Sequence, residues 1–348
     1  MIRRWIIGSL IGTMLVWVTS PLFVRSYHSK VYDPVCQNWV YPAGTTYRWR
    51  SEGYATTAMG PHGMPGRETV PRQSTNPVIA LWGDSQAEGV CVPDNDKLWR
   101  VLQARLSAGG ANPVEVLPLA HSGENAANWT RGFSESEQQL GVTAHILLIC
   151  ELDDLMPLAH PVANATPQGL SVRGDRMLDA APDFVIDALR ALILQRDSLA
   201  LRRLRFGVGP IESAPQRPSD QPPRNQHILA AAIATRLARV TTRPITMLYA
   251  PRVPRIVGGE ILGEDPQNAA FEPLALELRR HGVHVVDCRD ELKRSVDQGV
   301  FPHGFQNGVI GNGHLNAAGY RAIANAAQLA EVRAKMPSLP TVSLTDCN

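Results

Sequence analysis

The sequence predicts an α/β protein in which a parallel sheet is covered by helices on both faces, with one membrane-spanning helix ahead of it. Three observations carry this. From Val78 onward, short apolar runs of strand length alternate with segments whose apolar residues recur at helical spacing. Those runs are continuous rather than alternating, which is how strands buried on both faces read. And residues 5 to 24 carry no charge, a stretch that meets the requirement of about 20 residues for crossing a bilayer core.

Taken in order, residues 1 to 4 form a cytoplasmic stub in which Arg3 and Arg4 favour an inside N-terminus. Residues 5 to 24 read as an uncleaved anchor, because Pro21 and the bulky residues after it make a poor signal-peptidase site. Residues 25 to 77 are rich in Tyr, Thr, Gly and Pro with little periodicity, and read as an irregular segment laid over the domain or spacing it from the membrane. Within it, His62 and Arg67 read as surface groups.

Val78 to Trp82 is the first core strand, and it breaks into Gly83-Asp84-Ser85. A helix over Lys97 to Leu106 and a strand over Val114 to Leu117 follow, and a third strand runs from Ile146 to Ile149 and ends in acids. Residues 155 to 227 read as an insertion, with a helix over Phe184 to Leu204 and a Pro-rich loop over Pro210 to Arg224. The alternation then resumes: helix Ile228 to Val240, strand Ile245 to Pro251, helix Phe271 to Arg280, strand Val283 to Asp287, and a closing helix from Leu315 to Val332. The catalytic domain is thus placed at 78 to 336, with an irregular tail at 337 to 348.

Composition excludes several classes of function. Lys plus Arg number 34 and Asp plus Glu 32, a net charge of +2, with no run of like charges, so no nucleic-acid partner is expected. The five cysteines lie far apart with no Cys-x-x-Cys pair, signalling neither a zinc site nor a dithiol. Cys150 and Cys288, at strand ends, read as buried thiols. The histidines His121, His160, His227 and His303 lack ligand spacing and read as surface or structural. No Gly-rich phosphate loop and no metal-ligand cluster is present, so no metal or cofactor is expected.

The chemistry points to two distant places. Ser85 stands just past a strand end, where open α/β sheets bind ligands, and His314 sits in Gly311-Asn312-Gly313-His314 at the entry to the last helix. A serine nucleophile needs such a base. Between them, Ser122-Gly123-Glu124-Asn125 ends the second strand and Glu151-Leu152-Asp153-Asp154 the third.

With these four blocks in this order, residues 78 to 330 resemble the SGNH (GDSL-type) hydrolases, in particular the membrane-anchored members associated with bacterial surface polysaccharides. The resemblance implies a three-layer α/β/α, flavodoxin-like fold with about five parallel strands. It implies Ser85 as nucleophile, His314 as base, and an oxyanion hole drawn from Ser85, Gly123 and the third-block position Asp153. The chain departs from the family at two positions: Asp153 stands where an Asn is usual, so either a protonated Asp153 donates or, the preferred reading, Asn125 or Asn128 supplies the amide, and Gly311 stands where the family's triad Asp is usual.

With that Asp missing, the carbonyl of a neighbouring glycine, Asn312 or Asp287 is the candidate to orient His314, and a Ser-His dyad is the working arrangement. Asp84 is expected to support the turn. The expected function is an esterase or O-acyltransferase acting on acylated carbohydrate, single-pass in the inner membrane with its domain in the periplasm. The alternative is an inactive scaffold that binds carbohydrate in an envelope complex.

Overall fold

A computed structural model describes residues 1–70, 76–108, 113–159, 181–194, 226–257 and 259–327. Helix α1, Ile2–Thr19, carries no charge beyond Arg3 and Arg4 in its first turn and is exposed along its length. With the turn after it, Ile2–Leu22, it is long and apolar enough to cross a membrane, at a mean hydropathy of 1.6. Ser20-Pro21-Leu22 is a 3₁₀ turn, since Pro21 cannot donate to an α-helical ladder.

The segment read as irregular contains two small antiparallel ribbons. Strand β1, Val31–Asp33, pairs with β2, Asn38–Val40, and β3, Thr46–Arg48, pairs with β4, Thr56–Ala58. Each strand is three residues long, too short for a two-residue period to register in the sequence. Val35, Val40 and Met64 enter the main core, and Tyr47 and Met59 form a small cluster with Val90 and Cys91, so this segment is part of the domain. Arg67, expected on the surface, is buried: its guanidinium lies over Trp99 and its Nη2 donates to Glu115 at 2.6 Å.

The core strands are β5, Val78–Trp82; β6, Glu115–Pro118; β7, Ala144–Ile149; β8, Ile245–Tyr249; and β11, His284–Asp287, with a short hairpin β9, Arg255–Val257, and β10, Glu260–Leu262, outside the main sheet. The five core strands are all parallel in the order β11-β8-β7-β5-β6. Numbered by first appearance this is the 2-1-3-4-5 order of flavodoxin-like sheets, whose ligand crevice opens where the strand order reverses. That point is the carboxyl end of β5.

The helices are α2, Ser85–Glu88; α3, Leu98–Ala108; α4, Ala126–Leu140; α5, Met156–Ala159; α6, Asp183–Leu194; α7, Gln226–Val240; α8, Asn268–Arg280; α9, Arg289–Asp297; and α10, Ala317–Ala326. The period-two alternation of β5 sorts its side chains between layers. Ala80 and Trp82 face Trp129 and Phe133 of α4, in a core shared with Leu237 of α7 and Phe271 of α8. Ile79 and Leu81 face the other layer, with Leu102 of α3, Leu292 of α9 and Ile323 of α10.

Some expectations shift. The helix expected over Phe184 to Leu204 is described as far as Leu194, and the rest of it, with the Pro210 to Arg224 loop, lies outside the described residues. Helices α4 and α9 were not anticipated. The closing helix begins at Ala317, two residues later than expected, because Asn316 caps it by accepting from Ala318 and Gly319 N–H. Cys150 and Cys288 are buried free thiols, as are Cys36 and Cys91.

Candidate active site

Asp84 has extended backbone geometry and caps α2, its Oδ1 accepting from Gln86 N–H at 2.9 Å. That leaves Ser85 as the first residue of the helix, with a backbone N–H that has no acceptor inside it. The helix is tied to the entry of α10 by one residue: Gln86 Oε1 accepts from Leu315 N–H at 2.8 Å, and Gln86 O accepts from the Tyr320 hydroxyl at 2.6 Å. The turn bearing Ser85 and the turn bearing His314 are therefore held to each other directly. His314 Nε2 lies 3.0 Å from Ser85 Oγ.

The third group comes from the N-terminal segment. Glu52 Oε2 lies 2.6 Å from His314 Nδ1 and also accepts from His314 N–H at 3.0 Å. With the Nδ1 proton directed at the carboxylate, Nε2 is free to accept from Ser85.

Glu52 rides on a strap whose backbone is fixed on both sides. Asn307 accepts from Gly53 N–H at 2.7 Å and donates to the carbonyls of Arg50 and Gly53. Arg50 in turn donates to Pro21 O at 2.9 Å and Ala55 O at 2.7 Å. Gly53 has φ +65°, and a Cβ there would stand 2.2 Å from Cys91 O, so only glycine lets the strap lie this close.

Glu52 thus extends the Ser-His pair expected from sequence into a hydrogen-bonded series of three. Neither expected orienting side chain takes part. Asp287 is exposed and paired with Arg289 at 2.6 Å, since the end of β11 is at the sheet margin. Asn312 is exposed, and its Oδ1 accepts from the next residue's N–H at 2.8 Å, so it shapes the turn instead.

Among the expected oxyanion donors, Gly123 N–H donates to no described residue, and the residue is exposed at φ +82° with open space where a Cβ would project. Asn125 is the N-cap of α4: its Oδ1 accepts from Ala127 N–H, and Asn128 accepts from Asn125 N–H in a capping box. Both side-chain oxygens are therefore taken up at the start of α4. Asp153 is exposed on the 3₁₀ turn Leu152–Leu155. Its neighbour Asp154 is the carboxyl that faces Asp84.

Burial first, then the Asp84 and Asp153 charges, raise Asp154 from an ordinary 3.8 to about 7. Burial also raises Asp84, against the pull of the Gln86 N–H and His314. Because the folded Asp154 holds its proton above the unfolded value, its contribution to stability is lost as pH rises from about 4 to 7. Asp154→Asn is accordingly expected to raise Tm more at pH 8 than at pH 5; parallel Tm curves for variant and wild type would rule this out.

Of the histidines set aside above, His121 and His303 are buried, and His160 lies outside the described residues. Burial, Arg252 and His314 push His303 down to about 3, so His303 stays neutral. Glu52, Cys91 and His314 are the described set that offers ligand atoms within 4.8 Å of one another. Two ligands on one zinc ion stand about 3.3 Å apart, given metal-ligand bonds of roughly 2.0–2.1 Å. Glu52 and His314 are closer than that, as hydrogen-bonded partners, and burial holds the Cys91 thiol protonated well above its usual range. The residues present fit a proton-transfer line better than a cation site.

No family model and no curated protein matches the chain. Among solved structures it is similar to LAE5, an alpha/beta hydrolase enzyme from the metagenome of Lake Arreo, at 15% identity and TM-score 0.37, covering 73% of this chain and 94% of that one. It is also similar to a lipase/acylhydrolase from Enterococcus faecalis, at 12% identity and TM-score 0.35, covering 75% and 97%. A third similarity is to a mutant of Axe2, an acetyl-xylooligosaccharide esterase from Geobacillus, at 12% and 0.35, covering 72% and 92%.

Proposed function

We propose that the chain is a membrane-anchored serine esterase or O-acyltransferase that handles acyl groups, acetyl foremost, on a surface or secreted polysaccharide. The observation that carries the chemistry is the unbroken line from Ser85 Oγ through His314 to Glu52. Ser85 attacks the ester carbonyl while His314 Nε2 takes its proton, and the carboxylate of Glu52 stabilises the imidazolium. The oxyanion forms beside the N–H groups of Ser85 and Gly123, each such donor contributing about 10²–10³ in rate where it is preorganised. His314 then protonates the departing sugar oxygen, and water or a second sugar hydroxyl resolves the acyl-enzyme.

The exposed apolar helix α1 supports the anchor, which would set the domain at the periplasmic face of the inner membrane. The carbohydrate substrate follows from the resemblance in the sequence. A scaffold that only binds carbohydrate has no use for a hydroxyl, an imidazole and a carboxylate in hydrogen-bonded series. The test is a fluorophosphonate probe on the full-length protein, followed by acetate release from O-acetylated polysaccharide with and without an unacetylated sugar acceptor. Labelling at Ser85 with acetate release supports the esterase, and label without free acetate but with acetylated acceptor supports the transferase. A folded protein that takes no label is the binding scaffold.

A further inference from the structure

The loop that offers the Gly123 N–H is held from the nucleophile's own helix. Glu88 is the last residue of α2, three positions after Ser85, and is 3% exposed. Its Oε2 accepts from Ser122 N–H at 3.0 Å and from the Ser122 hydroxyl. On the far side of Gly123, Glu124 is also buried; it lies 3.2 Å from His121 Nδ1 and accepts from Asn38 Nδ2. Gly123 has no side chain, and the space where a Cβ would project is open. The described bonds that hold this turn run through its neighbours: Ser122 to Glu88, and Glu124 N–H to His121 O.

Burying a carboxylate is costly unless it gathers hydrogen bonds, and the ones described for Glu88 both come from Ser122. A residue that only stabilised α2 would find its donors within that helix. Resting on the reading of Ser85 as nucleophile, we infer that Glu88 is a positioning residue: it couples the Ser122-Gly123 turn to the nucleophile helix, so that one rigid unit carries both the attacking oxygen and the N–H that receives the oxyanion. Such a coupling acts mainly on the tetrahedral state, where the oxygen moves into the hole, and little on substrate binding.

The experiment compares Glu88→Ala, Glu88→Gln and Ser122→Ala in the full-length protein, with rates normalised to fluorophosphonate-titrated Ser85. Glu88→Ala is expected to lower kcat on p-nitrophenyl acetate about 10- to 100-fold, below or near the loss of a whole oxyanion donor, with KM within about threefold. Affinity for an arylboronic acid, which forms a tetrahedral adduct at Ser85, should fall by a similar factor. Glu88→Gln keeps an acceptor oxygen and should recover most of the loss, while Ser122→Ala, which keeps the N–H bond, should lose only a few-fold.

If Glu88→Ala fails to fold, Ser122→Ala carries the comparison: a few-fold loss of kcat and boronate affinity with KM unchanged supports the coupling. Wild-type kcat and boronate affinity in Glu88→Ala, or in Ser122→Ala where Glu88→Ala does not fold, would overturn it while leaving the esterase reading intact. A wild type that neither takes the probe nor turns over ester would overturn both.

Discussion

Ser85→Ala is expected to lower ester turnover by about 10⁴- to 10⁶-fold, the range seen when the nucleophile of a serine hydrolase is removed. The site offers no substitute: Asp84, the adjacent carboxyl, is engaged as the cap of α2, and the thiol beside His314, Cys91, is buried and held protonated. His314→Ala should fall as far, because a serine hydroxyl without its base is a weak nucleophile. The double variant should be scarcely worse than either single one, since the two act as a unit. The measurement is p-nitrophenyl acetate hydrolysis by purified full-length protein, with thermal melts to show that each variant folds. Activity within tenfold of wild type in Ser85→Ala would mean that another group attacks the ester.

Glu52→Gln is the second large effect, expected to lower kcat about 10²- to 10⁴-fold with KM little changed, at most what removing the acid of a serine protease triad costs. One oxygen, Glu52 Oε2, accepts from both His314 N–H and Nδ1, so an amide that turns its oxygen there keeps both bonds and the tautomer, and the variant should fold. What it loses is the negative charge that stabilises the imidazolium as His314 takes the Ser85 proton. The measurement is kcat for p-nitrophenyl acetate across pH, where the drop should persist throughout because the amide carries no charge at any pH. A kcat within threefold of wild type would return the site to a Ser-His dyad.

The sheet was legible because Val78 to Trp82 and Ile146 to Ile149 are unbroken apolar runs, and a buried parallel strand has few other ways to be written. Ser85 and His314 were legible by the places they occupy, one past a strand and one before a helix. Glu52 was not. It stands in a segment without periodicity, and its contact with His314 spans 262 positions, so nothing local distinguishes it from any other surface glutamate.

The third block shows a subtler failure. Asp153 and Asp154 are adjacent, and the 3₁₀ turn that follows β7 decides which of them is exposed and which faces Asp84; sequence position alone could not. Asn125 was noticed for its amide, yet a cap at 125 with Asn128 three residues on and Trp129 and Phe133 at helical spacing spelled the start of α4.

The strap bearing Glu52 divides the catalytic line between two stretches of chain that a domain boundary at Val78 would separate. A recombinant fragment cut there would keep every strand of the main sheet, the serine and the histidine, yet leave its imidazole without a counter-charge, and would be mistaken for a sluggish enzyme. Soluble versions made for assay should therefore start upstream of Pro21, whose carbonyl receives the Arg50 guanidinium, so that the acid arrives with its moorings.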